Sequence, residues 1–221
     1  MTNLFKNILL VLLIACIIYF LTFKYYSIKL SPTTGDEPSY EPKKWNYNTN
    51  IKNSHNCYTY ALNDINKNNI DFCNTNNKKR CVIPKPQPGH YTGNYDNSNM
   101  TCNSLKKRTK MDNPSIYDID FNRRCKDNYY KIALFTDPYN MYHFYRQDNN
   151  GYWSHKDGSS KATNIDKDGN LINDPRKANK TSYNNKYNYN DFCGFMCVPS
   201  NNHKKTNTAN IFNRNSIRIK N

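Results

Sequence analysis

Apolar residues are unevenly spread along the chain. One long run, ILLVLLIACIIYFLTF from Ile8 to Phe23, follows Lys6 and Asn7 and is closed by Lys24, Tyr25 and Tyr26. Leu4, Phe5 and the flanking tyrosines extend it towards the roughly 20 residues that cross a bilayer core. No small-x-small cleavage pattern follows in FLTFKYYSIKLSP, so residues 1–30 read as an uncleaved anchor that enters a membrane through residues 4–26. The tetrad Leu13-Ile14-Ala15-Cys16 matches a bacterial lipoprotein box, but cutting there leaves the greasy start IIYFLTF, and the anchor is preferred. Residues 31–52 carry three prolines and no apolar period, and read as a tether. Residues 53–199 read as the folded domain, and 200–221 as a flexible basic tail with no acidic residue.

Within the domain, CYTYALNDI has helical spacing, with Tyr58, Ala61, Leu62 and Ile65 on one stripe. YYKIALFTD, MYHFYRQD and GYWSHK read as short strands, joined by turns at Asp137-Pro138-Tyr139-Asn140 and Asn149-Asn150-Gly151. ATNIDKDGNLIND reads as a hairpin about Asp168-Gly169, and DFCGFMCVP as a last strand. An early helix followed by an antiparallel meander is an α+β arrangement.

Composition narrows the class. The chain has 221 residues, enough for one domain with appendages. Mean hydropathy of −0.98 excludes a multi-span membrane protein. Aromatic residues make up 14% of the chain, which argues against a disordered one. The net charge of +15 suits an acidic partner, while 39 asparagines point equally to an AT-rich coding bias. Flanking lysines lie on both sides of the anchor, so its orientation is not set by charge. The sequons Asn99-Met-Thr101 and Asn179-Lys-Thr181, together with the cysteines, place the domain on the extracytoplasmic or virion-exterior side.

Seven cysteines lie beyond the anchor: Cys57, Cys73, Cys81, Cys102, Cys125, Cys193 and Cys197. An odd number in an exported domain implies bridges plus one free thiol. Cys73 with Cys81 closes a short loop and Cys102 with Cys125 a longer one, while Cys193 and Cys197 share a strand face but lie too far apart to pair. Cys57 stands apart because it opens the predicted helix behind Ser54-His55-Asn56, where Ser or Asn can cap the helix. The positive end of a helix lowers a thiol pKa, which is what a nucleophile needs. A thiolate catalyst also needs an imidazole to move protons and a polar group to orient that imidazole. His143 begins HFYRQ, and His155 lies in WSHK on the next strand, in phase for one sheet face. His55 and His90 are rival bases, and His203 lies in the tail.

A helix-opening cysteine, an apolar strand, then histidines on successive strands resembles the NlpC-like papain-fold cysteine peptidases, through KIALFTD, HFYRQ, Asn150-Gly151 and YWSHK. The resemblance implies a papain-like α+β domain with Cys57 as nucleophile, His143 as general base and acid, and His155 as orienting group. It also implies amide bonds as the target, in a peptide or peptidoglycan-like substrate. The strings NCYTYAL, PQPG and YHFYRQDNNGYWSHK are similar to a set of bacterial and viral proteins, from about Asn56 to Pro199.

Other chemistry finds little purchase. The basic clusters Lys78-Lys79-Arg80, Lys106 to Lys110 and Arg123-Arg124 read as solvated loops, with no nucleic-acid-binding motif beside them. Asp166-Lys-Asp168-Gly-Asn170 lacks the glycine position and distal Glu of a calcium loop. Cys193 and Cys197 lack the spacing and the Cys/His partners of a zinc knuckle, and no phosphate-binding glycine pattern occurs, so no cofactor or metal is expected. The competing expectation is a non-catalytic, disulfide-stapled virion or surface membrane protein that binds an acidic polymer or glycan.

Overall fold

The structure, a computed structural model, describes residues 2–25, 29–75, 85–137 and 141–200. The chain divides into two units, residues 1–30 and residues 31–221. The first is helix α1 (Thr2–Tyr25), 24 residues without an acidic side chain. At the usual rise that is about 36 Å of helix, and Asn3–Leu21 is long and apolar enough to cross a membrane.

The second unit is α+β. Five helices, α2 (Pro42–Asn46), α3 (Thr49–Ser54), α4 (Cys57–Ala61), α5 (Lys67–Thr75) and α6 (Cys102–Asp112), precede six strands. The strands are β1 (Tyr117–Ile119), β2 (Tyr129–Asp137), β3 (Met141–Gln147), β4 (Trp153–Lys156), β5 (Ala162–Thr163) and β6 (Asp191–Pro199). They form one antiparallel sheet in the order β1-β6-β2-β3-β4-β5. The run β2 to β5 is the expected meander. The last strand does not extend it but inserts between β1 and β2.

Strand alternation sorts the core into two layers. Ile132, Leu134, Tyr142, Phe144, Met196 and Val198 face α4 and α6, against Cys57, Tyr58 and Leu105. Ala133, Phe135, Tyr145, Trp153 and Phe195 face the other way, beneath Phe121, Ile172 and Tyr189.

Several expectations need correction. Residues 31–52 are not a free tether. Ser31, Glu37 and Trp45 are buried, and Trp45 packs edge-on against Tyr60 and His55. Prolines there did not prevent packing, because Pro42 sits in the first turn of α2, where its missing N–H costs nothing. The Lys106–Lys110 cluster lies on a helix, α6, with Lys106 and Lys110 paired to Asp118 at 3.0 and 2.7 Å. Arg108 in the same run is buried and donates to the carbonyls of Pro88, Asp96 and Asn99.

Two bridges join described residues, Cys102–Cys193 and Cys125–Cys197, so Cys102 and Cys125 do not pair with each other. Nor do Cys193 and Cys197 share a face. The β2–β6 register skips Cys193 between Gly194↔Leu134 and Phe192↔Phe135, a bulge that the positive φ of Gly194 (134°) permits. Cys193 thereby turns to α6. Cys197 stands opposite Lys131 and turns to the layer of Phe121 and Cys125. One bridge closes each face. Cys73 is disulfide-bonded; Cys81, the Pro138–Asn140 turn, Lys78–Arg80 and residues 201–221 lie outside the described residues.

Candidate functional site

Asn56 caps α4 with a full capping box: its side chain accepts from the Thr59 N–H, and the Thr59 side chain accepts from the Asn56 N–H. Its amide also donates to the Pro86 carbonyl at 2.8 Å. Cys57 therefore does open a helix, as its sequence context suggests. The helix has only five residues and is wholly buried. Burial dominates the thiol and pushes its pKa up to about 12, against hydrogen bonds from the Phe144 and Tyr58 N–H groups. The expected depression of the thiol pKa is not what this environment produces.

The histidines meet. His143 Nε2 lies 2.8 Å from His155 Nδ1, and the ring centroids are 4.9 Å apart. Both rings are held neutral: burial lowers the pKa of His143 well below the ordinary value and that of His155 less strongly. Their tautomers follow from one carbonyl. His155 Nε2 contacts the Ile165 oxygen at 3.3 Å, and that oxygen only accepts, so Nε2 carries the proton. His155 Nδ1 is then the acceptor, and His143 Nε2–H donates to it. The lone pair of His143 is left on Nδ1, a base with no hydrogen-bond partner among the described residues.

The cysteine and the imidazoles are brought near one strand but onto different layers. Cys57 packs with Tyr142 and Phe144, whereas His143 turns over between Tyr145 and Tyr189, stacked on Tyr189 at 4.9 Å. Among the described residues no hydrogen bond joins the Cys57 sulfur to either ring. What lies between them is the strand itself: Phe144, the residue after His143, belongs to the same core cluster as Cys57.

The rival bases lie elsewhere. His55 is buried, with Nε2 accepting from the Asn66 N–H and Nδ1 bonded to the Ile51 carbonyl. His90 is exposed on the turn after Pro88.

What the motif reading missed is that most motif residues bind one another. Tyr58 OH donates to Asp112, whose carboxylate also accepts from the N–H groups of Gly89 and Thr92 and so holds the PQPG turn. Tyr60 OH pairs with Ser154 at 2.7 Å, and Arg146 lies 4.3 Å over the Tyr60 ring. Lys156 Nζ donates to the carbonyls of Lys52, His55 and Gly158 at 2.6, 2.9 and 2.6 Å. Of the two α4 tyrosines, Tyr60 alone meets polar residues of β3 and β4, while Tyr58 turns to α6.

His143, Tyr145 and His155 form the floor of a cleft of about 680 Å³, whose rim includes Lys52, Lys161 and Tyr183. The Asp166 loop beside it holds its carboxylate with N–H groups from Asp168, Asn170 and Asn179. Among the described residues no three His, Cys, Asp or Glu side chains gather as metal ligands.

No family profile and no solved structure matches the chain. It is 33% identical over 159 residues to insoluble matrix shell protein 1 of Ruditapes philippinarum, covering 72% of this chain and 88% of that protein. The chain belongs to the insoluble matrix shell protein 1 family. Members of this family therefore share more than a short motif with the present chain.

Proposed function

We propose that this chain is a non-catalytic, disulfide-stapled surface protein, anchored by α1, whose domain faces the outside of a cell or virion and holds an acidic polymer or glycan. The observation that carries this reading is the kinship with a protein named for an insoluble shell matrix. Three features support it. Disulfides on both faces suit an oxidising compartment. The net charge of +15 favours an acidic partner. Cys57, the unbridged thiol among the domain's described residues, is buried and protonated at neutral pH. The test is retention of the full-length protein, in detergent micelles, on beads carrying polyglutamate or dextran sulfate. Retention should weaken as salt rises; retention no better than on neutral dextran overturns the reading.

A second reading is a papain-like, NlpC-type thiol hydrolase acting on amide bonds, and one observation favours it: the bare Nδ1 of His143, fixed by His155, on the residue next to Phe144, which shares the core cluster of Cys57. In that reading Sγ passes its proton to Nδ1 before attack, and His155 positions the ring. A thiol-directed alkylating probe separates the two. Rapid, selective labelling of Cys57 at pH 6 that His143→Ala abolishes supports the hydrolase; labelling no faster than in unfolded protein supports the binding role.

A further inference from the structure

We infer that the cleft above the His143–His155 pair is the binding site for an acidic saccharide, one bearing carboxylate or sulfate groups on its rings. The inference rests on the polymer-binding reading and narrows it to one place and one chemistry. The cleft holds about 680 Å³, room for a few sugar rings. Its rim carries Lys52 and Lys161, whose ammonium groups have no hydrogen-bond or ion-pair partner among the described residues. Lys167 and Lys180 add charge, though their Nζ atoms are already donating to the carbonyl of Tyr183 and to those of Arg176 and Ala178. Two carboxylates oppose them. Asp166 is saturated by three N–H groups, and Asp157 accepts the Tyr183 N–H. Both carboxylates stay charged, but the four lysines outnumber them, so the lining is net positive, and the two unpaired ammonium groups sit at the mouth.

Aromatic faces supply the other half of sugar recognition, because the C–H face of a sugar ring packs on a flat ring while its hydroxyls bond at the edges. Tyr183 is 76% exposed at this mouth. Ser160 and Thr163 line the same wall and offer hydroxyls. An acidic peptide fits less well. Extended peptides add to a free strand edge, and the edge beside this cleft is β5, where the Asn46 side chain already takes both the N–H and the carbonyl of Ala162, at 2.7 and 3.0 Å.

The test is titration calorimetry of the full-length protein in detergent micelles with a chondroitin sulfate tetrasaccharide, against the neutral tetramer of N-acetylglucosamine. The sulfated probe should saturate one site, and the neutral one should bind at least tenfold more weakly. The double variant Lys52→Gln, Lys161→Gln should lose at least tenfold, and Tyr183→Ala severalfold. Lys106→Gln with Lys110→Gln on α6 should change nothing. Near-UV circular dichroism confirms that each variant is folded. If the double variant binds as wild type does, the cleft assignment falls while polymer binding stands. If polyglutamate beads retain the protein but the tetrasaccharide does not bind, the saccharide class falls. If neither binds, both this inference and the reading beneath it fall.

Discussion

Arg146 is fully buried, and its guanidinium meets Asp148 Oδ1 through Nε at 3.0 Å and Nη2 at 2.8 Å, then Tyr60 OH at 3.1 Å and Asn63 at 3.2 Å. Removing one partner of such a pair strands the other charge in the core. Arg146→Met should therefore destabilise the domain by about 3–5 kcal/mol, read as a fall in the urea midpoint; a change below about 1 kcal/mol would mean that the pair behaves as a surface one. Lys156 makes a different prediction. Burial holds its pKa down to about 7, below the ordinary lysine value of 10.5. The unfolded chain thus binds more protons than the folded one between those values, so this residue makes stability rise with pH from about 7 to about 10.5. Lys156→Met should flatten that rise in a thermal-melt series. The buried histidines extend the same sense into acid. Their folded pKa values lie below 6.5, so stability present above 6.5 is lost as pH falls through the folded values. His143→Gln should make melting temperature less acid-sensitive between pH 6.5 and 4.5. None of these three roles was legible beforehand. A sequence shows that Arg, Lys and His are present, but their burial depends on which strands lie on either side.

Among the elements, the strands β2, β3, β4 and β6 could be read from the chain because each is an aromatic or β-branched run between turn residues. The pairing of His143 with His155 was legible for the same reason, since Tyr145↔His155 puts both rings on one face. Helix α6 was not, because LKKRT offers Leu105 as its one large apolar side chain and looks like a basic loop. Strand β5 has two residues, too few for a pattern. The separation of Cys57 from His143 turns on sheet parity, which needs the register as well as the strand. The bulge at Cys193 defeats parity altogether, and with it the reading of the bridges. Both bridges span long stretches, 91 and 72 residues. Loop closure of that size is worth about 4 kcal/mol to each. Replacing both cysteines of either bridge with Ala should cost a large part of that in denaturant unfolding, and a cost under about 1 kcal/mol would show that the sheet holds its register without the staple.

At the scale of the whole molecule, helix α1 and the domain make separable claims. A fragment beginning at Lys29 keeps Ser31, whose Oγ accepts from Lys131 and whose carbonyl accepts from Gln147. It should stay in solution without detergent and melt as the full-length protein does, whereas a fragment beginning at Asn53, which discards Trp45, should melt far lower.

The place of β6 in the sheet also bears on how the molecule comes into being. The strand made last lies between the one made first and the one made second. As the chain leaves the ribosome, β2 to β5 can zip together in order, but β1 has nothing to hold until Asp191–Pro199 emerges. Cys102 and Cys125 meanwhile wait as reduced thiols, since both of their partners ride on that same strand. Arrival of nine residues then completes the sheet and permits both oxidations together. A nascent chain stalled short of residue 191 should be trapped by thiol reagents at both positions, and release of the finished chain should protect both at once.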